Sequence, residues 1–280
     1  MEMKRDKLVM PVVKWLGGKR QLLPTLVPLL PDQFSNYCEP FFGGGAMFFW
    51  IQPMRAIVND INSDLMQVYE VIRDDVENLI SELEKNKNES EYFYKIRVLD
   101  RNKDSYNKLS PAEKASRVIF LNKTCFNGLF RVNNAGEFNS PFGNYKNPNI
   151  VNANTLRAVS NYFNRSEITF SCCDYSDVLK RISEGTFDYL DPPYDPVSTT
   201  ANFTGYSRGG FFKDDQVRLR ECCDDLNRRG IKFMLSNSAT DFIKKQYSSY
   251  NIKIVRAKRT INSDATGRGQ VDELVVRNYE

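Results

Sequence analysis

Hydrophobic and polar positions alternate along the chain in the pattern of an α/β protein. An apolar run at 37–42 leads into Gly43-Gly44-Gly45 and then into the apolar segment 46–50, which predicts a strand, a glycine turn and a helix. A second apolar run at 55–60 closes on Asp60 and predicts another strand. Together these segments predict one β-α-β unit.

The region that follows is predicted to be helical. Apolar residues between 65 and 83 recur every three or four positions, which predicts one amphipathic helix with an acidic, solvent-facing side. Residues 85–110 are polar and weakly patterned, so no regular element is predicted there. Ser110-Pro111 supplies an N-cap and a first-turn proline, which predicts a second helix at 111–123.

Regular alternation of strands and helices resumes in the last part of the chain. The predicted elements are a helix at 214–229 ending at Gly230 and strands at 168–174, 186–191, 231–236, 250–255 and 273–279. This order predicts an α/β, Rossmann-like sheet interrupted by an insertion. The predicted division is a catalytic domain of residues 1–62 plus 166–280 and an inserted, mainly helical domain of residues 63–165.

The composition excludes several kinds of site. The 280 residues include no histidine, which excludes Ser-His-Asp and Cys-His nucleophile pairs and H-E-x-x-H metal sites. The six cysteines fit neither a disulfide scaffold nor paired C-x-x-C motifs, so they are interpreted as buried small apolar residues and no metal is expected. Apolar runs are too short for a membrane span or a signal peptide, so a cytoplasmic protein without a membrane partner is expected.

Charge is distributed unevenly, although the net value is only +4. Residues 63–91 hold nine acidic and three basic side chains, whereas residues 92–148 hold ten basic and four acidic ones. Residues 244–268 hold seven basic and one acidic. A solvated surface explains any one of these runs, but two basic segments on either side of the candidate catalytic sequence favour a nucleic-acid partner.

The glycine turn is the first candidate ligand site. Glycine lets the backbone approach a ligand closely, which makes Phe41, Gly43 and Gly45 candidate cofactor contacts. Phe48 stands where G-x-G-x-x-G requires its third glycine, which disfavours NAD and FAD. Asp60 ends the next strand, where a carboxylate can accept hydrogen bonds from a ribose. A nucleoside cofactor without phosphates and a structural loop with a capping acid fit this pattern equally well.

Asp191-Pro192-Pro193-Tyr194 follows a buried strand and forms the candidate catalytic turn. The prolines rigidify the turn and lack N–H groups, which leaves carbonyl oxygens to face a ligand. The Asp191 carboxylate and the Pro192 carbonyl can accept both hydrogens of an exocyclic amine, and Tyr194 offers a ring for stacking. Holding both hydrogens localises the nitrogen lone pair and aims it at an electrophilic methyl group. The alternative is a rigid turn with an incidental tyrosine.

A β-hairpin is predicted around residues 133–136, and a two-stranded ribbon of this kind fits the major groove of DNA. Arg131 is the candidate for pairing with guanine, and Asn127 and Asn133 belong to an asparagine-rich stretch that offers donors and acceptors. Phe126 is a candidate wedge for the gap that a flipped base leaves. A surface hairpin without a partner is the alternative.

Five segments occur together in one order, namely 14–19 (KWLGGK), 39–41 (EPF) with the glycine turn, 191–194 (DPPY), 202–206 (NFTGY) and 235–238 (LSNS). With them the chain resembles the Dam-type, D12 class DNA adenine-N6 methyltransferases over nearly its whole length. The resemblance implies a Rossmann-like methyltransferase fold, with the cofactor motif first, the recognition region second and the D-P-P-Y motif last. It also implies an enzyme that uses S-adenosyl-L-methionine and methylates adenine N6 in double-stranded DNA by base flipping.

The resemblance further implies residue roles. Trp15, Lys19, Asp60 and Asp191 match family positions that contact S-adenosylmethionine, and Asp174 matches less closely a position near its adenine. The insertion at 63–165 corresponds to the target-recognition domain. The hairpin resembles the family's recognition hairpin, and the implied target is GATC. A cognate restriction endonuclease acting on the same site, but not bound stably, is an expected partner.

Lys14 matches a base-contacting lysine of the family and joins the candidate DNA contacts. Other functions stay open on the sequence. The same pocket would suit cytosine N4 or an RNA base, and a chain that kept the fold without catalysis would be a silent DNA-binding module. The intact D-P-P-Y and glycine turns favour an enzyme over the silent module.

Overall fold

The computed structural model describes residues 5–15, 17–133, 135–196, 210–258 and 270–280. The strands are Asn36–Glu39 (β1), Arg55–Asn59 (β2), Glu167–Ser171 (β3), Thr186–Leu190 (β4), Lys232–Ser238 (β5), Asn251–Lys258 (β6) and Gln270–Arg277 (β7). Every strand predicted from the sequence is therefore present. The motif at 202–206 and part of the second basic segment lie outside the described residues.

The strands form one sheet in the order β3-β2-β1-β4-β5-β7-β6. All neighbours are parallel except β7, which runs antiparallel to both β5 and β6. Strand β4 is buried at every position, as a central parallel strand covered on both faces should be. Successive strands leave β1 toward one edge and β4 toward the other, so the strand order reverses between them, where open α/β sheets bind ligands. The sheet confirms the predicted Rossmann-like α/β fold.

Helices cover both faces of the sheet. Those in the described residues are Leu23–Leu26 (α1), Ala46–Ile51 (α2), Ser63–Asp74 (α3), Val76–Glu84 (α4), Ser90–Arg97 (α5), Lys103–Asn107 (α6), Pro111–Thr124 (α7), Ala153–Asn164 (α8), Tyr175–Arg181 (α9), Lys213–Arg228 (α10) and Asp241–Gln246 (α11). Phe187 and Tyr189 of β4 pack in one core with α2, α3, α7 and α8, whereas Leu190 packs in a second core with α9, α10 and α11. None of these helices is both long and apolar enough to cross a membrane.

The residues between β2 and β3 form a mainly helical layer, α3 to α8. The prediction of one helix across 65–83 is wrong, because α3 and α4 are separated at Asp75. Asp75 has φ −149° and ψ 50°, outside the helical region, and its N–H donates to the Val71 carbonyl at the end of α3. The apolar spacing continues through the break because Leu65 of α3 and Leu79 of α4 are buried in the same core.

Residues 85–110, where the weak pattern predicts no particular element, do hold regular structure. They contain α5, α6 and a short 3-10 helix at Val98–Arg101. Phe93 is the single buried residue of α5 and no residue of α6 is buried, so the sequence carries almost no periodic apolar signal there. Helix α7 begins as predicted at Pro111, with a capping box in which Ser110 and Glu113 exchange hydrogen bonds of 3.2 and 2.7 Å.

The predicted hairpin is present but short. Val132 and Phe138 form one antiparallel bridge, and the Asn133 N–H donates to the Glu137 carbonyl at 2.9 Å. The Asn133 side chain is used within the turn, because its Oδ1 accepts the Glu137 N–H at 2.9 Å. The Phe138 N–H donates to Oδ2 of buried Asp100 at 2.8 Å, which anchors the hairpin to the helical layer.

The cysteines only partly follow their interpretation as buried apolar residues. All six are free thiols, of which three are buried, two are half-buried and one, Cys172, is exposed. The interpretation is wrong for Cys172, which directly follows the edge strand β3 and therefore lies at the surface.

Asp188, in the middle of β4, is a fully buried carboxyl group. Among the residues that the structure describes, no nitrogen or oxygen donor bonds to either of its oxygens, and the neighbouring Cys38 thiol is only a weak donor. Burial raises the pKa of Asp188 to about 8, against a smaller lowering effect of the Cys38 thiol. A buried carboxyl without a partner is less costly as the neutral acid than as the anion. The contribution of Asp188 to stability should therefore fall as the pH rises from its ordinary pKa toward 8, because the unfolded chain loses a proton there that the folded protein keeps.

Replacing Asp188 with Asn, a neutral residue of similar shape, tests whether burial of the carboxyl makes stability depend on pH. D188N should gain stability over the parent as the pH rises, by roughly 1.4 kcal/mol per pH unit between the two pKa values. Urea unfolding at pH 5 and pH 8 measures the gain, and Asp32→Asn, at an exposed position, controls for the loss of a surface carboxylate. A stability difference that does not change with pH would contradict the expected burial cost.

Candidate active site

The two turns that the sequence assigns to ligand binding follow β1 and β4. These strands pair in parallel, with Asn36, Tyr37 and Cys38 opposite Thr186, Phe187 and Asp188. The glycine turn and the Asp191 turn therefore emerge at the same edge of the sheet. The strand order reverses there, which is where open α/β sheets bind ligands, and the space between the two turns is called here the β1–β4 crevice.

A buried ion pair lies at the mouth of β4. Nζ of Lys19 is 2.8 Å from Oδ1 of Asp191, and the two side chains are 6% and 18% exposed. The same ammonium donates to the Gly17 carbonyl at 2.6 Å. Burial raises the pKa of Asp191 to about 6, Lys19 opposes that rise and Glu273 adds to it. Asp191 is therefore an anion at neutral pH and becomes protonated in mild acid.

Tyr194 belongs to the same cluster. Nζ of Lys19 lies 4.5 Å from the centroid of the Tyr194 ring, and the Tyr194 hydroxyl donates to Oε2 of Glu273 at 2.8 Å. The structure thus brings together the predicted residues Lys19, Asp191 and Tyr194. Sequence reasoning missed Glu273, which lies in β7 without a recognisable motif, and only the position of β7 beside β5 brings it to the site.

Glu39 is a second acid that sequence reasoning did not assign to the site. It ends β1, is 2% exposed and accepts the Tyr37 hydroxyl hydrogen at 2.6 Å. Burial raises the pKa of Glu39 well above its usual value, and Asp191 is among the charges that raise it further. An acid at the carboxyl end of a buried strand is the signal that identified Asp60 and Asp191, and it would have identified Glu39 as well.

A buried hydrogen-bond network holds the proline turn. Gln216 Nε2 donates to the Pro193 carbonyl at 2.9 Å, and Asn237 Nδ2 donates to Gln216 Oε1 at 2.9 Å. Asn237 Oδ1 accepts the Asp195 N–H at 3.1 Å. Asn237 comes from the segment 235–238 noted in the sequence, so that segment supports the catalytic turn. The carbonyl engaged by protein is that of Pro193, whereas the sequence assigned a ligand to that of Pro192.

Asp60 ties the glycine turn to the end of β2. Its Oδ2 accepts the Gly43 N–H at 2.8 Å and its Oδ1 accepts the Asn62 N–H at 2.9 Å. Burial raises the pKa of Asp60, while these two hydrogen bonds lower it. Each carboxylate oxygen has two lone pairs, so Asp60 retains acceptor capacity for the ribose that the sequence predicts.

Two glycines of the turn have left-handed backbone, with φ +50° at Gly43 and +63° at Gly45. A Cβ at Gly43 would lie 2.7 Å from Trp15 Cδ1, and one at Gly45 would lie 2.6 Å from Phe42 Cζ. The Trp15 ring therefore packs directly on the glycine turn. Glycine is required at these positions both for the backbone conformation and for the close approach.

An aromatic group borders the glycine turn. The ring of half-buried Phe41 lies 4.9 Å from that of Tyr175 and 5.9 Å from that of Phe211.

Asp174, the predicted contact to the cofactor adenine, caps the N-terminus of α9 and pairs with Arg218 at 3.0 Å. These contacts give Asp174 a structural role in the protein alone.

Trp15 and Lys14 connect the crevice to the hairpin region. The Trp15 ring stacks on Phe130, with centroids 5.0 Å apart and an interplanar angle of 23°. The Lys14 backbone is held on both sides by Asn122, through hydrogen bonds of 2.8 and 2.6 Å. The Lys14 side chain is exposed. Trp15 thus contacts both the glycine turn and Phe130, beside the hairpin.

The other predicted DNA contacts differ in how free their side chains are. Phe126 is 55% exposed, and the neighbouring Asn127 is exposed with φ 58°. Exposed Arg131 donates from Nε to Asn139 Oδ1 at 2.7 Å, which orients the guanidinium without burying it. Asn133 is committed to its own turn, as described above.

The strand order and the two turns are those of a Rossmann-like α/β protein, a class that binds ligands where the strand order reverses. No group of metal-binding side chains is present in the described part of the chain. The chain belongs to the D12 class N6 adenine-specific DNA methyltransferases, whose family model matches residues 15–261. It is therefore an enzyme that methylates adenine in DNA and requires a methyl donor. Membership favours adenine over the cytosine and RNA alternatives.

Relatives with curated names are similar in sequence to this chain over almost its full length. The type II methyltransferase M1.LlaDCHI of Lactococcus lactis subsp. cremoris is 41% identical, covering 96% of this chain and 95% of its own length. The type II methyltransferase M.MjaIII of Methanocaldococcus jannaschii is 41% identical, covering 97% and 99%. The DNA adenine methylase of Escherichia coli strain K12 is 33% identical, covering 94% and 93%.

The contact between Gly43 and Trp15 yields a test. Gly43→Ala should lower kcat/KM for the methyl donor by tenfold or more, because the added Cβ pushes Trp15 off the glycine turn. Gly185→Ala is the matched control, since it has φ +86° but only distant contacts from 3.8 Å. Both variants should lose about 1 kcal/mol of stability to backbone strain. Equal donor kinetics in the two variants would remove Trp15 packing as the reason for the glycine.

Proposed function

We propose that this enzyme binds S-adenosyl-L-methionine in the β1–β4 crevice and methylates N6 of an adenine flipped out of double-stranded DNA. The observation that carries the proposal is the Lys19–Asp191 pair beside Tyr194, at the mouth of β4. A buried carboxylate kept ionised next to an aromatic ring suits an exocyclic amine on a planar base.

The crevice residues fit this methyl donor. Phe41 and Trp15 supply apolar surface, the Gly43 and Gly45 turn allows close backbone approach, and Asp60 retains acceptor capacity for ribose hydroxyls. When bound, S-adenosylmethionine supplies an electrophilic methyl group on a sulfonium. The chain lacks the pyrophosphate fingerprint, which matches a nucleoside ligand without phosphates.

Asp191 and the Pro192 carbonyl are proposed to accept the two hydrogens of the adenine amine. This removes the nitrogen lone pair from conjugation with the ring and leaves it available for attack. Asp191 also stabilises the positive charge that develops on the nitrogen during transfer. Lys19 engages Oδ1 of Asp191, and the carboxylate has further lone pairs for the substrate.

The target base must leave the duplex to reach this crevice. Stacking on Tyr194 would offset part of the unstacking cost, and Phe126, whose side chain is exposed, is proposed to fill the vacated gap. The helical layer at 63–165 is proposed as the target-recognition domain, with Arg131 and Asn127 as its contacts, and Lys14 of the N-terminal segment is proposed to contact DNA beside it. The resemblance of the hairpin and of Lys14 to the family supports GATC as the target.

Two wider expectations follow from the substrate and the relatives. An enzyme that modifies DNA is proposed to work where the DNA lies, which is the cytoplasm in bacteria and archaea such as those of the two 41% identical relatives. Relatives that carry type II methyltransferase names support a restriction-modification role. In that role a cognate endonuclease would act on the same DNA site without binding this protein stably.

The pKa of Asp191 predicts the pH dependence of methyl transfer. Because the carboxylate is the active form and its pKa is raised to about 6, kcat/KM should fall about tenfold per pH unit below that value. Asp191→Asn should lose roughly 10²-fold or more in kcat while it keeps duplex binding. Transfer of labelled methyl groups, with the modified base identified by mass, measures both. A flat profile down to pH 5 would refute the role of the ionised carboxylate.

Arg131 is proposed to read a base pair. Arg131→Ala should reduce discrimination at one position of the site by about 1–3 kcal/mol, because a bidentate contact to guanine is lost. Arg228→Ala, which removes an exposed arginine at the end of α10, should leave site preference unchanged. Methylation of a duplex library with single substitutions measures the preference at each position. Identical profiles for parent and R131A would exclude Arg131 from base reading.

A further inference from the structure

Glu273 of β7 contacts the tyrosine of the D-P-P-Y turn. Its Oε2 accepts the Tyr194 hydroxyl hydrogen at 2.8 Å. Its backbone is fixed on both sides, because Glu273 pairs with Ser238 of β5 and with Val255 of β6. A residue from the last strand is thus held firmly against the tip of the tyrosine in the D-P-P-Y turn.

Two side chains contact Tyr194 at different parts of the residue. Lys19 Nζ lies 4.5 Å from the ring centroid, and Glu273 holds the hydroxyl at the far end. Burial raises the pKa of Tyr194 well above its usual value, and the carboxylates of Asp191 and Glu273 raise it further. The phenol therefore keeps its proton and donates a hydrogen bond to Glu273.

We propose that Glu273 is a positioning residue that acts through the Tyr194 hydroxyl, fixing the ring on which the target adenine stacks. The proposal rests on the function proposed above. A tyrosine ring turns about two side-chain bonds, so its anchoring at the hydroxyl determines how the ring face meets a planar base. Loss of the anchor should slow methyl transfer more than it weakens binding of the methyl donor, because Glu273 itself contacts neither reactant.

The test uses Glu273→Leu, Glu273→Gln, Tyr194→Phe and the double variant Y194F/E273L. E273L removes the acceptor and should lower kcat about tenfold, with KM for S-adenosylmethionine changed less than about twofold. E273Q keeps an acceptor oxygen and should retain kcat within about threefold of the parent. Asp272→Asn is the matched control, because it changes the exposed neighbouring carboxylate of β7 and should leave kcat unchanged.

The double variant decides whether Glu273 acts through Tyr194. If it does, Y194F/E273L should be no slower than Y194F alone, because the hydroxyl is already absent. Parental kcat in E273L would overturn the proposal, and so would a further loss of kcat when E273L is added to Y194F. Failure of E273Q to restore activity would also overturn it. A parent protein that transfers no methyl group to DNA adenine would instead refute the proposed function.

Discussion

A buried negative charge at the end of β4 is the constraint on which the site depends. Taking a carboxylate out of water is costly unless it is paired, and Lys19 offsets that cost at 2.8 Å from Asp191. Lys19 offsets only part of the burial cost, because the pKa of Asp191 is still raised to about 6. The carboxylate is therefore charged at neutral pH and takes up a proton in mild acid. Residues from the N-terminal segment, the β4 turn and β7 converge on this one charge.

The fold explains why such distant segments meet. The reversal of strand order between β1 and β4 opens a crevice at one edge of the sheet, and both motif-bearing turns emerge there. The network of Gln216 and Asn237 fixes the proline turn from the side of α10 and β5. Trp15 links this crevice through Phe130 to the region of the hairpin. The glycine turn and the region of the proposed DNA-reading hairpin are therefore joined by one aromatic contact.

The sequence predicts those features that are local along the chain. A buried strand that ends in an acid or in glycines is visible in a few residues, which is why Asp60, Asp191 and the strands could be predicted. Glu273 and Gln216 act through tertiary contacts, so no local pattern reveals them. The helices of residues 90–107 bury almost nothing, and the break at Asp75 leaves the apolar spacing intact. Apolar periodicity predicts a helix only where one face of the helix is buried. It gives no signal where almost nothing is buried, and it does not reveal a break that buried residues flank on both sides.

Asp191 is proposed to hold the amine of the target adenine beside the methyl donor. A crystal structure of the protein with S-adenosylhomocysteine and a duplex containing GATC would show where that amine lies. We expect an extrahelical adenine on the Tyr194 ring, with its N6 within hydrogen-bond distance of the Asp191 carboxylate and the Pro192 carbonyl. An adenine that stays paired in the duplex, or one bound away from Asp191, would contradict it.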